Sequence, residues 1–256
     1  MSNDWVLGVD TSHWSGKINF PKMHQAGARF WITKATDANK TTGLQFEDTE
    51  FNNYCRTAFD FGELLTGCYH WLQYSVDPKV AAQFYLERYT RYKFDFPPIL
   101  DFEEPSVRDT GRFSDYAWRA SEWCKEVERV TGRKPIIYTA QWFTNYFQTS
   151  HLSWMQAYPL WIANYSWWAN DIAKVPVNYP KLKFEDRVWD DWAIWQYSAD
   201  TNGRGAEFGV QAKSIDLNWF QGSYADLLHW LKVDEPAPEP LTLEERVERL
   251  ELAVFG

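Results

Sequence analysis

Eight short segments rich in apolar residues recur along the chain, and segments of helical periodicity follow the first five of them. The eight candidate strands lie at residues 5–10, 30–36, 64–72, 98–103, 135–140, 160–165, 192–198 and 214–220. The candidate helices lie at residues 21–27, 46–62, 78–92, 116–132 and 141–147. Strands that alternate with helices are typical of a parallel sheet, which is either open or closed.

The last third of this pattern is less regular. Residues 166–191 are rich in Trp, Pro, Asp and Lys without an apolar repeat of 3.6, so we expect a long loop there. The nucleotide loops GxGxxG and GxxxxGK[ST], which commonly follow strands of open doubly wound sheets, do not occur. The sequence therefore predicts an α/β fold: an irregular TIM-like (β/α)-barrel with eight strands, about five flanking helices and a site at the carboxyl ends of the strands.

Charge and cysteine content exclude several classes of protein. The chain has 26 Lys and Arg against 35 Asp and Glu, and this net charge of −9 argues against nucleic acid as a partner. Its three cysteines, Cys55, Cys68 and Cys124, are widely spaced without a CxxC, which indicates neither a disulfide framework nor a zinc ribbon. No apolar run approaches the ~18 residues of a membrane span, and no signal peptide is seen, so we expect synthesis in the cytoplasm.

The composition changes near the carboxyl end. At residues 234–241 proline alternates with acidic residues, which predicts an extended linker after a barrel domain of residues 1–233. Thr242 and Glu245 then form a capping-box pattern, and the apolar residues that follow are spaced four, three and four apart. Residues 242–256 are therefore predicted to form a short amphipathic helix that associates with a second copy through 242–255; the alternative is a helix that docks on its own body or frays.

Acidic residues occur where the predicted strands meet one mouth of the barrel. Asp10 closes the first strand, Asp216 lies in the eighth, and Asp101 and Glu103 end the fourth. Because alternate residues of an extended chain share a face, Asp101 and Glu103 project to one side and Phe102 to the other. Crowded carboxyls raise one another's pKa, so that one stays protonated beside an ionised neighbour.

Two acids among aromatic walls indicate glycoside hydrolysis, and 18% of the residues are aromatic. A divalent metal site is the competing use of such acids, and either Asp10 or Asp216 alone could equally serve as a cap or an ion-pair partner. A zinc hydrolase or a serine hydrolase is not indicated, because neither HExxH nor GxSxG occurs.

Eight motifs in a fixed order resemble those of glycoside hydrolase family 25, the Chalaropsis-type muramidases of phage endolysins and bacterial autolysins. They are DTSHW at 10–14, WITKAT at 31–36, GCYH at 67–70, PILDFE at 98–103, PIIY at 135–138, PLWIANY at 159–165, WQYS at 195–198 and IDLN at 215–218. The resemblance implies an irregular eight-stranded barrel. It also implies hydrolysis of the β-1,4 bond between N-acetylmuramic acid and N-acetylglucosamine in peptidoglycan, without a cofactor.

The resemblance also implies roles for individual acids. Glu103 matches the general acid/base and Asp101 its partner carboxylate, while Asp10 and Asp216 match two further acids of the catalytic floor. Asp101 then either orients the substrate's own 2-acetamido group for attack on the anomeric carbon or acts as the nucleophile of a double displacement. Both routes are open at this stage.

Sugar-binding positions follow from the same match. They are Tyr69, Tyr138, Trp161 and Gln196 in the groove, with His13 and Lys34 assigned to binding at strand ends. A structural salt bridge is an equally good expectation for Lys34. Alternative functions are a glycan-binding or virion structural module with little turnover, and a chitin hydrolase. The family suggests that the chain reaches the wall of a phage-infected or prophage-bearing bacterium by a phage release pathway.

Overall fold

A computed structural model describes residues 5–165, 188–199 and 203–233, and their strands form one sheet that closes on itself. The strands are β1 (Val6–Thr11), β2 (Phe30–Ala38), β3 (Gln45–Glu47), β4 (Leu65–Trp71), β5 (Ile99–Asp101), β6 (Ile136–Ala140), β7 (Leu160–Ala163), β8 (Ile194–Ser198) and β9 (Asp216–Phe220). Closure comes from β1, which pairs with β2 on one side and β9 on the other. The predicted eight-stranded barrel is confirmed, and β3 is an extra strand on its edge.

One of the eight barrel strands runs antiparallel to the other seven. The neighbours from β1 through β2, β4, β5, β6 and β7 to β8 are parallel. The last strand, β9, is antiparallel to both β8 and β1. As a consequence, the amino end of β9 lies at the same mouth as the carboxyl ends of the other seven barrel strands.

Eight α-helices flank the sheet within the described residues. They are α1 (Phe20–Gln25), α2 (Phe51–Phe61), α3 (Pro78–Tyr89), α4 (Ser106–Thr110), α5 (Phe113–Thr131), α6 (Gln141–Thr144), α7 (Thr149–Leu152) and α8 (Tyr224–Leu231). The five predicted helices correspond to α1, α2, α3, α5 and α6, and three short helices are additional.

The predicted helix over 46–62 was wrong at its start. Residues 45–47 form β3, which pairs with the end of β2, and the Asp48 backbone N–H donates to the carbonyl of Ala35. Asp48 then ends the strand, because its side chain accepts from the Glu50 N–H and its carbonyl from the Phe51 N–H. Helix α2 begins at this Asx turn.

Aromatic side chains fill much of the core. Trp31, Trp123, Trp161 and Trp195 are almost completely buried, so a large part of the unusual aromatic content serves packing. Gly8 of β1 is required by this packing: a Cβ there would lie 2.0 Å from the Phe30 ring.

The predicted loop at 166–191 falls largely outside the described residues, and the linker at 234–241 and the helix at 242–256 lie outside them entirely. Self-association through 242–255 therefore stays a prediction. None of the described helices combines the length and the apolar character needed to cross a bilayer.

Candidate active site

A cleft of about 560 Å³ opens at the mouth where the parallel strands end. It is lined by Asp10, Tyr69, Trp71, Asp101, Glu103, Tyr138, Trp161, Tyr165, Gln196, Ala199 and Asp216. Eight of the ten residues predicted from the sequence are in this list, among them all four acids.

Asp101 and Glu103 reach the cleft because the chain stays extended just beyond β5. The Phe102 N–H donates to the Tyr138 carbonyl at 2.8 Å, which continues the pairing with β6. The Phe102 ring turns the other way and stacks on Tyr116 with 4.7 Å between centroids. Glu104 also leaves the cleft, since its carboxylate accepts from a backbone N–H and a hydroxyl of neighbouring loops.

Burial makes both acids of this pair unusually weak. Desolvation raises the pKa of Asp101 well above its ordinary value, and the nearby Glu103 carboxylate raises it further. The pKa of Glu103 rises to about 7, first through burial and then through the charge of Asp10. The Lys34 ammonium lowers both pKa values in part. Together the two groups therefore retain at least one proton near neutral pH.

A directed set of hydrogen bonds converges on Asp10. Its Oδ2 accepts from Gln196 Nε2 and from Asn218 Nδ2, each at 2.8 Å. The Gln196 Oε1 accepts in turn from the hydroxyls of Tyr138 at 2.8 Å and Tyr165 at 2.6 Å. Because both tyrosine protons are donated to Gln196, the two hydroxyl oxygens offer lone pairs to a ligand.

The orientation of the Asn218 side-chain amide is also set by its hydrogen bonds. Asn218 Oδ1 accepts from the Trp161 indole N–H at 2.8 Å, which leaves its Nδ2 to donate to Asp10. Burial raises the pKa of Asp10 to about 6, although its two amide donors lower it in part. The amides hold the Asp10 carboxyl in one orientation at the floor of the cleft.

Asp216 lies on β9, the antiparallel strand of the barrel. It is the first residue of β9 and lies directly across from Asp10 in the β1–β9 register. Asp216 was predicted together with the acids at strand ends, but it lies at the start of its strand, and only the antiparallel direction of β9 brings it to this mouth.

Two predicted binding residues do not line the cleft. Lys34 is buried on the inner face of β2, where it forms an ion pair with Asp37 and its Nζ lies 4.4 Å from the centroid of the Trp71 ring. The structure thus shows the salt bridge that was the alternative expectation. His13 points to Asp48, with Nδ1 2.7 Å from Oδ2, and lies beside the cleft rather than in it.

Several site residues were missed in the sequence. Trp71, Tyr165 and Ala199 line the cleft, and Asn218 orients Asp10 from behind it. A period of two would have identified Trp71 from Tyr69 and Asn218 from Asp216, because alternate strand residues share a face. Within the described residues no group of three or more His, Cys, Asp or Glu is placed to hold a metal ion, so no candidate metal centre emerges there.

A barrel whose mouth holds paired, weakly acidic carboxyls among aromatic rings has the arrangement of a glycoside hydrolase. Comparison with protein families agrees: a model of the glycosyl hydrolases family 25 matches residues 9–206. The chain belongs to this family.

Individual relatives support the assignment. The uncharacterized protein YegX of Escherichia coli (strain K12) is 31% identical over 229 residues, which are 87% of this chain and 72% of YegX. Lysozyme M1 of Streptomyces globisporus is 28% identical over 230 residues, 87% of this chain and 70% of the lysozyme. The crystal structure of the bacterial lysozyme from Streptomyces coelicolor has a TM-score of 0.66 and 25% identity, covering 87% of this chain and 95% of that one.

Proposed function

We propose that this chain is a peptidoglycan hydrolase that cleaves the β-1,4 bond between N-acetylmuramic acid and N-acetylglucosamine. The observation that carries the proposal is the placement of Asp101 and Glu103 on one face, in one aromatic-lined cleft, with the pKa of both raised. The lysozymes among its relatives support the substrate class. Arrival at the wall by a phage release pathway stays a prediction.

Glu103 is the general acid in this proposal. Its pKa of about 7 keeps a proton available near neutral pH, and its carboxyl makes no hydrogen bond within the described residues that would hold that proton back. It donates the proton to the glycosidic oxygen as the bond breaks. In the second half of the reaction its carboxylate takes a proton from the attacking water.

Asp101 stabilises the positive charge that develops at the anomeric carbon. One of its carboxylate oxygens, Oδ1, is buried without a hydrogen-bond partner in the described part of the chain. A buried acceptor without a partner is costly, and the N–H of a substrate 2-acetamido group satisfies it. In that route the acetamido oxygen attacks the anomeric carbon, and water then opens the oxazolinium ion.

Attack by Asp101 itself is the second route compatible with this geometry. The two routes predict different intermediates, an oxazolinium ion on the sugar or a glycosyl ester on Asp101. A thiazoline analogue of the oxazolinium ion inhibits the enzyme only in the first route. Mass spectrometry of the quenched enzyme finds a glycosylated peptide containing Asp101 only in the second.

The aromatic floor supports sugar binding. Tyr69, Tyr138 and Trp161 line the cleft beside the acids, and flat apolar rings with polar edges suit pyranose faces. Asp10, held by Gln196 and Asn218, supplies part of the negative charge that weakens Glu103 as an acid. In this proposal Asp101 and Glu103 act on the glycosidic bond, and Asp10 and Asp216 contribute to the electrostatic field around them.

The test is digestion of purified peptidoglycan followed by mass spectrometry of the products. The wild-type protein should release fragments with muramic acid at the reducing end, and Glu103→Gln should release at least a hundredfold fewer per unit time, since general acid catalysis contributes about 10²–10⁴-fold. Glu63→Gln, an exposed acid outside the cleft, is the matched control.

Other products would replace the proposal with a specific alternative. Glucosamine at the reducing end or freed peptides would overturn it. Faster cleavage of chitin oligomers than of peptidoglycan would indicate a chitin hydrolase. Wall binding without any new reducing ends would indicate the glycan-binding module.

A further inference from the structure

The side chain of Trp14 is unusually exposed for an indole. At 81% exposure it is the most accessible large apolar side chain of the described residues. It follows β1 by three residues, in the short 3₁₀ turn of His13–Ser15, and therefore lies at the mouth where the catalytic cleft opens. Leaving so much apolar surface in water forgoes burial energy, so the position of this indole calls for an explanation.

Other groups hold this exposed indole in place. The His13 ring lies against it, with 4.5 Å between ring centroids and 40° between planes. The His13 ring is fixed in turn by Asp48, which accepts from the His13 backbone N–H at 3.1 Å and lies 2.7 Å from Nδ1. Asp48 is buried. The buried Asp48 carboxylate thus orients the His13 ring, and the His13 ring in turn supports the exposed Trp14 side chain.

The backbone of the same turn is also tied to distant parts of the barrel. The Ser15 carbonyl accepts from the Ala212 N–H at 3.0 Å, and the Gly16 carbonyl accepts from the Tyr54 hydroxyl. The backbone of the turn that carries Trp14 is therefore fixed to the barrel. A ligand that stacks on an indole held this way loses little of its binding energy to ordering the protein.

A second exposed indole lies on the other side of the mouth. Trp142 is 49% exposed and belongs to α6, which begins directly after β6. In the barrel order, β1 and β6 are four strands apart in either direction, so the turns that follow them face each other across the cleft. Trp142 packs edge-on against Tyr146, which is stacked on Phe113.

We propose that Trp14 and Trp142 are stacking platforms for pyranose rings of one glycan strand, on either side of the acids. His13 and Asp48 are positioning residues for Trp14. The inference rests on the proposed function for its ligand, a β-1,4-linked amino-sugar polymer. A strand that contacts both indoles crosses the whole mouth, so the platforms favour polymeric wall over short oligosaccharides that fill only the cleft.

Binding without turnover is the first test. In a Glu103→Gln background, sedimentation with insoluble peptidoglycan measures the Kd of Trp14→Ala, Trp142→Ala and Trp118→Ala. Trp118 is 51% exposed on the outer face of α5 and is the matched control. We expect each platform variant to raise the Kd about tenfold, as loss of one stacked aromatic contact does. The control should stay within about twofold of its parent.

A matching set of variants tests the support of Trp14. His13→Ala should raise the Kd with Trp14 intact, and His13→Phe should restore only part of the affinity, because a flat ring again lies against the indole but no longer bonds to Asp48. Trp14→Phe should recover part of the affinity lost in Trp14→Ala. The unfolding temperature of Trp14→Phe should match that of its parent, since the Trp14 side chain lies largely in solvent, whereas both His13 variants should unfold at a lower temperature because the buried Asp48 loses a hydrogen bond.

Turnover separates this inference from the proposed function. In the active enzyme, which keeps Glu103, Trp14→Ala should raise the KM for peptidoglycan about tenfold and change kcat by less than about twofold. Unchanged Kd and KM in both platform variants, with an active wild type, would overturn the platforms alone. A wild type that releases no reducing ends while Trp14→Ala still weakens wall binding would overturn the proposed function alone. A changed oligomeric state in Trp14→Ala with unchanged wall binding would show that the indole serves a protein interface instead.

Discussion

Asp10 and Asp216 lie directly opposite each other across the antiparallel pair of β1 and β9. Residues in such positions share a face of the sheet, and like charges there are destabilising. Burial has already raised the pKa of Asp10 to about 6. The floor of the cleft therefore holds a buried carboxyl, Asp10, whose ionised form opposes folding at neutral pH, as expected of a site shaped by its chemistry.

Replacing one member of this pair should stabilise the protein while harming its activity. Asp10→Asn removes a buried charge, and its oxygen can still accept from Gln196 and Asn218, so we expect a gain in the free energy of unfolding of about 1–3 kcal/mol at pH 8. At pH 4 the gain should shrink, because Asp10 is then protonated. Thermal unfolding at the two pH values checks this, with the exposed Asp109→Asn as control. A loss of stability at pH 8 would contradict the cost of burying the ionised Asp10 carboxylate.

Glu103 should make a similar pH-dependent contribution to stability. Its pKa is about 7 in the folded protein against an ordinary 4.5, so the folded state holds a proton that the unfolded chain releases between these values. Stability therefore falls as pH rises through this window. Glu103→Gln removes the Glu103 contribution to this dependence and should stabilise the protein by about 1–3 kcal/mol at pH 8 and by little at pH 4. Equal effects at both pH values would refute the raised pKa.

The pH dependence of catalysis tests the influence of Lys34. The alkaline limb of kcat/KM should fall near pH 7, where Glu103 loses its proton. Because the Lys34 cation lowers the pKa of Glu103, its removal should move that limb to higher pH. Lys34→Met combined with Asp37→Asn avoids a buried unpaired carboxylate, and the Asn oxygen can still accept from Gln73 and Ala38. A limb that moves to lower pH would refute the electrostatic role.

The hydrogen bonds to Asp10 give a titration that NMR can follow. Gln196→Met removes one of two donors that lower the pKa of Asp10, so that pKa should rise above about 6. Tyr138→Phe is the matched control, since Gln196 keeps its bond to Asp10 and still accepts from Tyr165. Carbon-13 detection of the labelled Asp10 carboxyl measures both variants. An unchanged pKa in Gln196→Met would show that the amide bond contributes nothing.

Strand positions could be predicted from the sequence, but strand direction could not. Short segments rich in apolar residues identified all eight barrel strands, because apolar content belongs to each segment alone. Direction depends on how a strand is paired, and nothing in residues 214–220 distinguishes a parallel from an antiparallel neighbour. Asp216 was predicted at the correct mouth, although it lies at the start of its strand and not at the end.

The site was predictable where side chains follow strand alternation. Asp101 and Glu103 share a face for that reason, and they line the cleft together. The contacts of His13 and Lys34 do not follow from strand alternation. The His13 side chain contacts Asp48, which lies after β3. The Lys34 side chain contacts Asp37, which follows the irregularity near the end of β2. A long polar side chain can reach several partners, and which one it contacts depends on the tertiary structure.

The position of β9 has a consequence during synthesis. Residues 216–220 fill the gap between β8 and β1, so a nascent chain that ends before them has a sheet with two open edges and lacks one of the four acids. Enzymatic competence and barrel closure are thus completed by the same late strand. The closed sheet and the full set of four acids therefore exist together only once residue 220 has been added.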